Sequence, residues 1–217
     1  MSRLTLVIGN KNYSSWSLRA WLALRKTGAD FEELLIPLSR PETEAAIKLH
    51  SPAGRVPVLK VGDLAIWDSL AIAEYLAERF PEAGLWPADA EERALARSVC
   101  AEMHSGFPAL RGGMPMNVRA RLPGKGRSPE VGADIARVQE IWETCRSRVG
   151  EDGLFLFGDF TLADAFYAPV VSRFRTYGVA LGDVCRRYVE AVWAWPDLQD
   201  WAAAASKEPY TIAEEEI

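Results

Sequence analysis

The chain changes its hydrophobic pattern once, near residue 81, and this change limits the possible folds more than any other feature of the sequence. Before it, short β-like apolar runs alternate with segments of helical spacing, in the order βαβαββα. Beyond it, almost every segment has helical spacing. We therefore expect an α/β part followed by an all-α part. The expected strands are residues 4–8, 31–36, 56–61 and 64–67, and the expected helices are residues 18–22, 42–50, 68–80, 89–102, 131–149, 162–177, 184–194 and 198–205.

A stretch that contains proline and glycine, residues 81–87, separates the two patterns. We expect a first domain over residues 1–80, a linker over residues 81–87 and a helical domain over residues 88–217. A length of 217 residues suits one or two domains of about 100–200 residues each. Hydrophobic residues make up 49% of the chain and charged residues 25%, so the composition excludes a disordered protein.

Charge and cysteine content exclude further classes. With 25 Lys and Arg against 30 Asp and Glu, the net charge is −5, and we expect no nucleic-acid binding. No uncharged stretch approaches the ~20 residues of a membrane-spanning helix, and the N-terminus lacks the apolar segment of a signal peptide. We therefore expect a cytoplasmic protein without a membrane partner. Cys100, Cys145 and Cys185 are far apart in predicted helices, where buried inert thiols are usual, and no metal or nucleotide motif occurs.

The first candidate site is the serine-rich turn between the first strand and the first helix. Ser14 and Ser15 lie near the expected helix N-terminus, where free N–H groups and the helix dipole favour an anion. A thiol bound there would ionise more easily, and the thiolate is the nucleophilic form. The alternative is that these serines only cap the helix, a role that serine fills well.

The second candidate is the segment Arg55-Val56-Pro57 at the start of a predicted strand. If the Val56–Pro57 bond is cis, the Val56 backbone is free to offer its N–H and C=O to an extended peptide. Without further context a trans bond is favoured, since only about 5% of X–Pro bonds are cis.

The third candidate is the pair Asp68-Ser69 at the start of the next helix. The Ser69 hydroxyl and the free N–H groups of the helix suit a carboxylate, and Asp68 suits an ammonium group, so the pair would hold the charged end of an amino acid. Asp and Ser are also the most common N-caps, and capping alone is the alternative.

Together, these three segments resemble the glutathione site of the cytosolic glutathione transferases. The stretch over residues 158–164 resembles a hallmark of that family's helical domain; here Thr161 and Asp164 form a capping box and Phe160 stands at the staple position. The resemblance covers the whole chain and implies a thioredoxin-like domain over residues 1–80 and an all-helical domain over residues 88–217. The glutathione-binding residues that it implies are Ser14, Ser15, Trp16, Arg55, Val56, Pro57, Asp68 and Ser69.

Within the family, the segment from Ser14 to Arg19 is most similar to the zeta-type motif Ser-Ser-Cys-Ser-Trp-Arg. By this match Ser14 donates a hydrogen bond to the glutathione sulfur, with Ser15 as the alternative. Trp16 stands where zeta-type proteins carry cysteine, which weakens the expectation of a zeta-type cis–trans isomerase. Arg19 is either a motif residue or a salt-bridge partner. No cysteine stands at the hydroxyl position, so omega- or beta-like thiol–disulfide chemistry is disfavoured.

The resemblance places the electrophile pocket along the first helix of the second domain, with Met103, His104, Phe107 and Arg111 as its candidate residues. His104 is either a substrate-orienting group or a packing residue, and His50 is a candidate for the glycyl end of glutathione. Residues 103–129 contain no acid but five basic side chains, which form either a solvated connection or a cationic pocket mouth that favours anionic electrophiles. The five basic residues are Arg111, Arg119, Arg121, Lys125 and Arg127.

The acidic residues 214–216 are expected to form a solvated tail.

The resemblance thus implies a serine-type glutathione transferase, in which an activated thiolate attacks a small electrophile, as in detoxification. Glutathione is a cosubstrate, no permanently bound cofactor or metal is expected, and the chain is expected to form a homodimer. Two alternatives stay open. One is a ligand-binding or interaction protein of the same fold without turnover, and the other is a zeta-like glutathione-dependent isomerase.

Overall fold

The computed structural model describes residues 3–150 and 153–217. Its first part is a four-stranded mixed sheet with the strand order β2-β1-β3-β4. Strand β1 pairs in parallel with β2 and antiparallel with β3, and β3 pairs antiparallel with β4. The predicted order βαβαββα is therefore confirmed. The elements are β1 Leu4–Ile8, α1 Ser15–Lys26, β2 Glu32–Leu35, α2 Thr43–Lys48, β3 Val58–Val61, β4 Leu64–Ile66 and α3 Ser69–Arg79.

The second part is helical, as the sequence predicts. A short 3₁₀ turn, Pro81–Ala83, leads into it. One helix, α5, was not predicted: it has six residues and begins with Pro108, in a region expected to be the end of the preceding helix and a connection. The helices among the described residues of this part are α4 Ala90–Ser105, α5 Pro108–Gly113, α6 Pro129–Arg146, α7 Leu162–Tyr177, α8 Asp183–Trp193 and α9 Pro196–Lys207.

Helix α7 is the centre of the molecule, because nearly all of its side chains are buried. It packs against α1 of the first part and against α4 and α8 of the second. The predicted capping box is present at its start: the buried Asp164 carboxylate accepts from the Thr161 N–H at 2.8 Å and from the Leu156 N–H at 3.1 Å. Phe160 is buried and stacks on Trp195, with 4.5 Å between the ring centroids.

A single cluster of buried apolar side chains extends across both parts of the chain. The proposed linker is held by this arrangement, since the Leu162 N–H donates to the Leu85 carbonyl at 2.9 Å. The division into domains at residues 81–87 stays a prediction. None of the helices in the described ranges has both the length and the apolar character needed to cross a bilayer.

All three cysteines are buried and none forms a disulfide. Burial is the main cause that raises the pKa of the Cys145 thiol to about 11 and that of the Cys185 thiol to about 12. Since the thiolate is the reactive form, these side chains are inert at neutral pH.

Candidate functional site

Helix α1 begins at the serine-rich turn, where Ser14 is the N-cap. The Ser17 N–H donates to Ser14 Oγ at 3.3 Å, and the two hydroxyl oxygens are 2.7 Å apart. The Gly9 N–H, at the end of β1, donates to Ser17 Oγ at 3.0 Å. Ser14 therefore caps α1, which is the role that the capping alternative gives it. The cap uses an acceptor lone pair of Ser14, and the Ser14 proton is donated to Ser17 Oγ, so a ligand would take that proton only if the Ser17 hydroxyl turned to donate in its place.

The loop before α1 is held mainly by the second part of the chain. The Trp201 indole N–H donates to the Lys11 carbonyl at 2.8 Å. The side chains of Asn12 and Asn117 bond at 2.9 Å, and the Arg119 N–H donates to Asn12 Oδ1 at 3.0 Å. The position of Ser14 thus depends on residues that lie more than a hundred positions along the chain.

The Val56–Pro57 bond is cis, although the sequence alone favoured trans. Ladder pairing in β3 begins at Val58, opposite Val7, so the backbone of Val56 lies outside the sheet. The Arg55 N–H is held by Ser51 Oγ at 3.2 Å. The Val56 peptide group therefore lies in the loop that precedes β3, where it makes no ladder hydrogen bond.

Helix α3 begins at Ser69 with Asp68 as its N-cap. One Asp68 oxygen accepts from the Leu70 N–H at 3.0 Å, and the other lies 3.1 Å from Nε2 of His104 on α4. Burial lowers the pKa of His104, the charges of Arg19 and Arg111 act in the same direction, and Asp68 opposes them. A neutral imidazole that donates from Nε2 fits this environment. The Ser69 hydroxyl is buried and has no partner among the described residues.

Trp16 lies where the two parts of the chain meet. Its ring meets the His104 ring edge-on, with 5.1 Å between the centroids. The Arg19 and Arg111 guanidinium groups lie 4.5 Å and 5.0 Å from the Trp16 ring centroid. The Trp16 ring therefore contacts two guanidinium groups and also the imidazole of His104, which in turn contacts Asp68.

Three arginines gather at this junction without a salt bridge in the described chain. Arg19 is buried, with its Nε and Nη1 atoms lacking partners, so its salt-bridge alternative is wrong. Burial is the main cause that lowers the pKa of Arg19 to about 9 and that of Arg173 to about 10, and the charge of Arg111 adds to both shifts. Arg173 Nε donates to the Met114 carbonyl at 2.8 Å, and Arg111 Nη2 to the Met103 and His104 carbonyls at 2.6 and 2.9 Å.

Two adjoining cavities contain most of the predicted glutathione-binding residues. The first, here called the arginine cavity, has a volume of about 390 Å³. The second, here called the Asp68 cavity, has about 460 Å³. Trp16, Arg55 and Val56 line both. The arginine cavity is also lined by Ser14, Ser15, Arg111 and Arg173, and the Asp68 cavity by Pro57 and Asp68.

Some predicted pocket residues lie elsewhere. Met103 and Phe107 are buried in the core cluster and line neither cavity, because the face of α4 that carries Met103 packs inwards. His104 contacts Asp68 and Trp16 but lines neither cavity, and His50 does not line them either. Of the four predicted electrophile-pocket residues, Arg111 alone lines the arginine cavity.

The basic stretch is in part a solvated connection, since Arg121, Lys125 and Arg127 are exposed, and only Arg111 of its members lines the arginine cavity. Arg119 donates to Tyr13 Oη at 2.9 Å and to the Tyr210 carbonyl at 3.0 Å. Arg121 and Arg127 bond backbone carbonyls. The expectation of a solvated acidic tail fits Glu214 and Glu216, which are exposed, but not Glu215, which is half-buried and lines the arginine cavity.

Sequence reasoning missed Arg173, which has a visible signal: it is the first charge after the uncharged run 165–172 in a helix that is buried nearly all round. Glu215 has no comparable signal in the sequence, because its position depends on how the last residues of the chain fold back towards the loop before Ser14. Within the described ranges, no group of three His, Cys, Asp or Glu side chains is arranged to hold a metal.

Comparison with known proteins gives matches over most of the chain. Residues 13–79 match the family model for the glutathione S-transferase N-terminal domain, and residues 117–204 match the model for the C-terminal domain. A maleylacetoacetate isomerase from Pseudomonas aeruginosa is 31% identical over 214 residues, which cover 92% of this chain and 89% of that protein. Glutathione S-transferase 1 from Dianthus caryophyllus is 33% identical over 176 residues, or 78% of each chain.

Among solved structures, a glutathione transferase homologue from a Burkholderia strain, with bound glutathione, is similar to this chain with a TM-score of 0.73. It is 26% identical, and the match covers 96% of this chain and all of that one.

Proposed function

Since the chain belongs to the glutathione S-transferase family, we propose that its two adjoining cavities bind glutathione and an anionic electrophile, and that Ser14 stabilises the glutathione thiolate. The observation that carries this proposal is that one cavity contains both the serines at the start of α1 and the Arg111 and Arg173 guanidinium groups. A hydroxyl that would stabilise the thiolate and a receptor for negative charge thus line the same space.

Glutathione would lie across both cavities, with its γ-glutamyl end in the Asp68 cavity. The buried Ser69 hydroxyl, which has no described partner, and the N-terminal N–H groups of α3 would hold the γ-glutamyl carboxylate. The Asp68 carboxylate would hold the ammonium group, and His104 positions that carboxylate from the opposite side. The Val56 peptide group, outside the β3 ladder, would bond the cysteinyl backbone.

The sulfur would then lie at the start of α1. In the structure the Ser14 hydroxyl donates to Ser17 Oγ at 2.7 Å, and the Gly9 N–H fixes Ser17 in place. To bond the thiolate, the Ser14 proton would turn away from Ser17, whose own hydroxyl proton would then be donated to Ser14 Oγ. A hydrogen bond to a charged acceptor contributes about 1.5–3 kcal/mol, which corresponds to a thiol pKa lowered by about one to two units. Ser15 lines the same cavity and is the alternative donor.

The electrophile would be anionic because the arginine cavity holds cations that the protein leaves largely uncompensated. Arg173 is buried, with 4% of its surface exposed, and its pKa is lowered to about 10, chiefly by burial. A bound carboxylate would supply the missing charge partner. The cations of the arginine cavity, and not the basic stretch, would therefore cause the anion preference, since Arg119, Arg121 and Arg127 use their N–H groups on carbonyls and on the end of the chain.

The chemistry would be attack of the thiolate on an electrophilic carbon near the carboxylate. If the adduct is stable, the product is a conjugate, as in detoxification. If the thiolate leaves again after rotation about the attacked bond, the net reaction is cis–trans isomerisation. The second outcome is supported by the similarity to the maleylacetoacetate isomerase from Pseudomonas aeruginosa. It is weakened by Trp16 at the position of the zeta-type cysteine.

The test uses purified protein, glutathione and two chlorodinitrobenzenes, one with and one without a ring carboxylate. Rates are divided by the uncatalysed rates, so that intrinsic reactivity cancels. We expect the enzyme to favour the carboxylated compound, and we expect a cis-enedione acid to be turned over. Retention on a glutathione column without turnover of any of these compounds would favour the ligand-binding alternative and contradict the proposal.

We also propose a cytoplasmic homodimer. Large apolar side chains are exposed on the first part of the chain: Leu49 is 81% exposed, Leu64 53% and Trp67 44%. These side chains would be covered in part if they lie in an interface, and C₂ dimers are the most common soluble oligomers. Sedimentation should give twice the 24.0 kDa chain mass. A species of 24.0 kDa at micromolar concentration would contradict the dimer.

A further inference from the structure

The end of the chain, residues 208–216, folds back onto the loop that precedes Ser14, and we call it the C-terminal segment. One Glu208 carboxylate oxygen accepts from the Lys11 N–H at 2.6 Å and the other from the Asn12 N–H at 3.1 Å. Arg119 donates to the Glu208 carbonyl at 2.9 Å. Ile212 is buried, so the segment is packed and not only hydrogen-bonded.

Beyond Ile212 the segment makes a 3₁₀ turn, Ala213–Glu215, that faces the arginine cavity. The Tyr13 hydroxyl donates to the Glu216 carboxylate. Glu215 is half-buried and is the only acidic side chain among the described residues that line this cavity. Burial raises the pKa of the Glu215 carboxyl, and the charge of Arg173, which lines the same cavity, opposes that shift by favouring the ionised carboxylate. Glu214, one residue earlier, is exposed and does not line the cavity.

The chain therefore places a carboxylate of its own in the space where an anionic ligand would find its countercharge. We propose that Glu215 is a specificity-determining residue of the arginine cavity, and that an anionic electrophile must displace it and the turn that carries it. This inference rests on the proposed function for the identity of the ligand. It implies that part of the affinity for an anionic group is lost in separating Glu215 from the arginines.

The first test measures the affinities of two glutathione thioethers, S-(2-carboxyethyl)glutathione and S-propylglutathione, which differ in the charge of the sulfur substituent. We expect the carboxyethyl compound to bind Glu215→Gln about three- to tenfold more tightly than the unaltered protein, because the variant lacks the carboxylate that competes for the arginines. The propyl compound should bind as it does to the unaltered protein. Glu214→Gln is the matched control and should change neither affinity. An unchanged ratio of the two affinities in Glu215→Gln would overturn the inference.

The second test follows displacement of the C-terminal segment through chymotrypsin cleavage after Tyr210, detected by mass as release of residues 211–217. Tyr210 is partly buried, with Arg40 lying 5.8 Å from its ring centroid. We expect cleavage to be about threefold faster in Glu215→Gln than in Glu214→Gln. In the unaltered protein, the carboxyethyl compound should speed cleavage and the propyl compound should not. Equal cleavage under both comparisons would refute displacement.

The two tests separate failure of this inference from failure of the proposed function. If neither thioether binds the unaltered protein, the proposed function is wrong. The charge interaction proposed between Glu215 and the arginines is then judged by cleavage alone, without any ligand. Faster cleavage of Glu215→Gln than of Glu214→Gln supports the countercharge role, and equal cleavage contradicts it.

Discussion

Replacing Ser14 with alanine removes both the N-cap of α1 and the hydroxyl proposed to face the thiolate, and the two losses have different sizes and readouts. The cap accepts from the Ser17 N–H, and its loss should lower the free energy of unfolding by about 1 kcal/mol. For a chain of this length, that is a fall in Tm of about 3 °C. Loss of the bond to the thiolate should raise the pKa of bound glutathione by about one to two units.

The assay follows the ultraviolet absorbance of the thiolate in the binary complex as pH is varied, together with conjugation rates at saturating glutathione. Near neutral pH, the rate in Ser14→Ala should fall about tenfold or more, and the difference should shrink as pH rises above the new pKa. Affinity for glutathione should change little, because its charged ends bind elsewhere.

Ser15→Ala is the matched control, since Ser15 lines the same cavity but does not cap the helix. An unchanged pKa in Ser14→Ala with a raised pKa in Ser15→Ala would move the role one residue along. An unchanged pKa in both variants would refute serine activation altogether. Ser17→Ala should show a smaller pKa rise with a larger loss of stability, because the Gly9 N–H then loses its acceptor.

Three further predictions concern glutathione affinity, electrophile charge and folding. Asp68→Asn and Ser69→Ala should raise the KM for glutathione about tenfold and leave kcat almost unchanged, because these contacts are remote from the sulfur; a fall in kcat at unchanged KM would contradict this assignment. Arg111→Gln should lower the ratio of kcat/KM for the carboxylated over the neutral chlorodinitrobenzene about tenfold, and an unchanged ratio would exclude Arg111 as an anion receptor. Asp164→Ala should lower the free energy of unfolding in urea by about 3 kcal/mol, whereas the exposed Asp159→Ala should have little effect, and equal losses would mean that the buried bonds of Asp164 contribute nothing specific.

The elements that sequence predicts best are those that local chemistry specifies at both ends. Helix α7 was predicted with the bounds that it has, because a capping box opens it and Gly178, at a φ of 61°, closes it. Helix α5 was missed because six residues are too few to show a helical period. The three glutathione segments were recognisable because each combines a turn or helix start with a characteristic residue pair.

The parts of the candidate site that the sequence did not predict are set by long-range packing. Helical spacing indicates that Met103 is apolar on one face of α4, but not whether that face meets a cavity or the core. Arg173 becomes part of the site only because α7 crosses α1. Glu215 reaches it only because the C-terminal segment returns to the loop before Ser14. No local pattern contains that information.

The dependence of that loop on distant residues also sets when it can form during synthesis. Its bonds to Asn117, Trp201 and Glu208 span 105, 190 and 196 or 197 positions. Ribosomes add about 5–20 residues per second, so Lys11 and Asn12 wait on the order of ten to forty seconds for their partners to be made. The sheet and α1 have their own residues much earlier. The turn that carries Ser14 is therefore completed late, and if Ser14 acts as proposed, a nascent chain with a folded sheet does not yet hold glutathione in a catalytic arrangement.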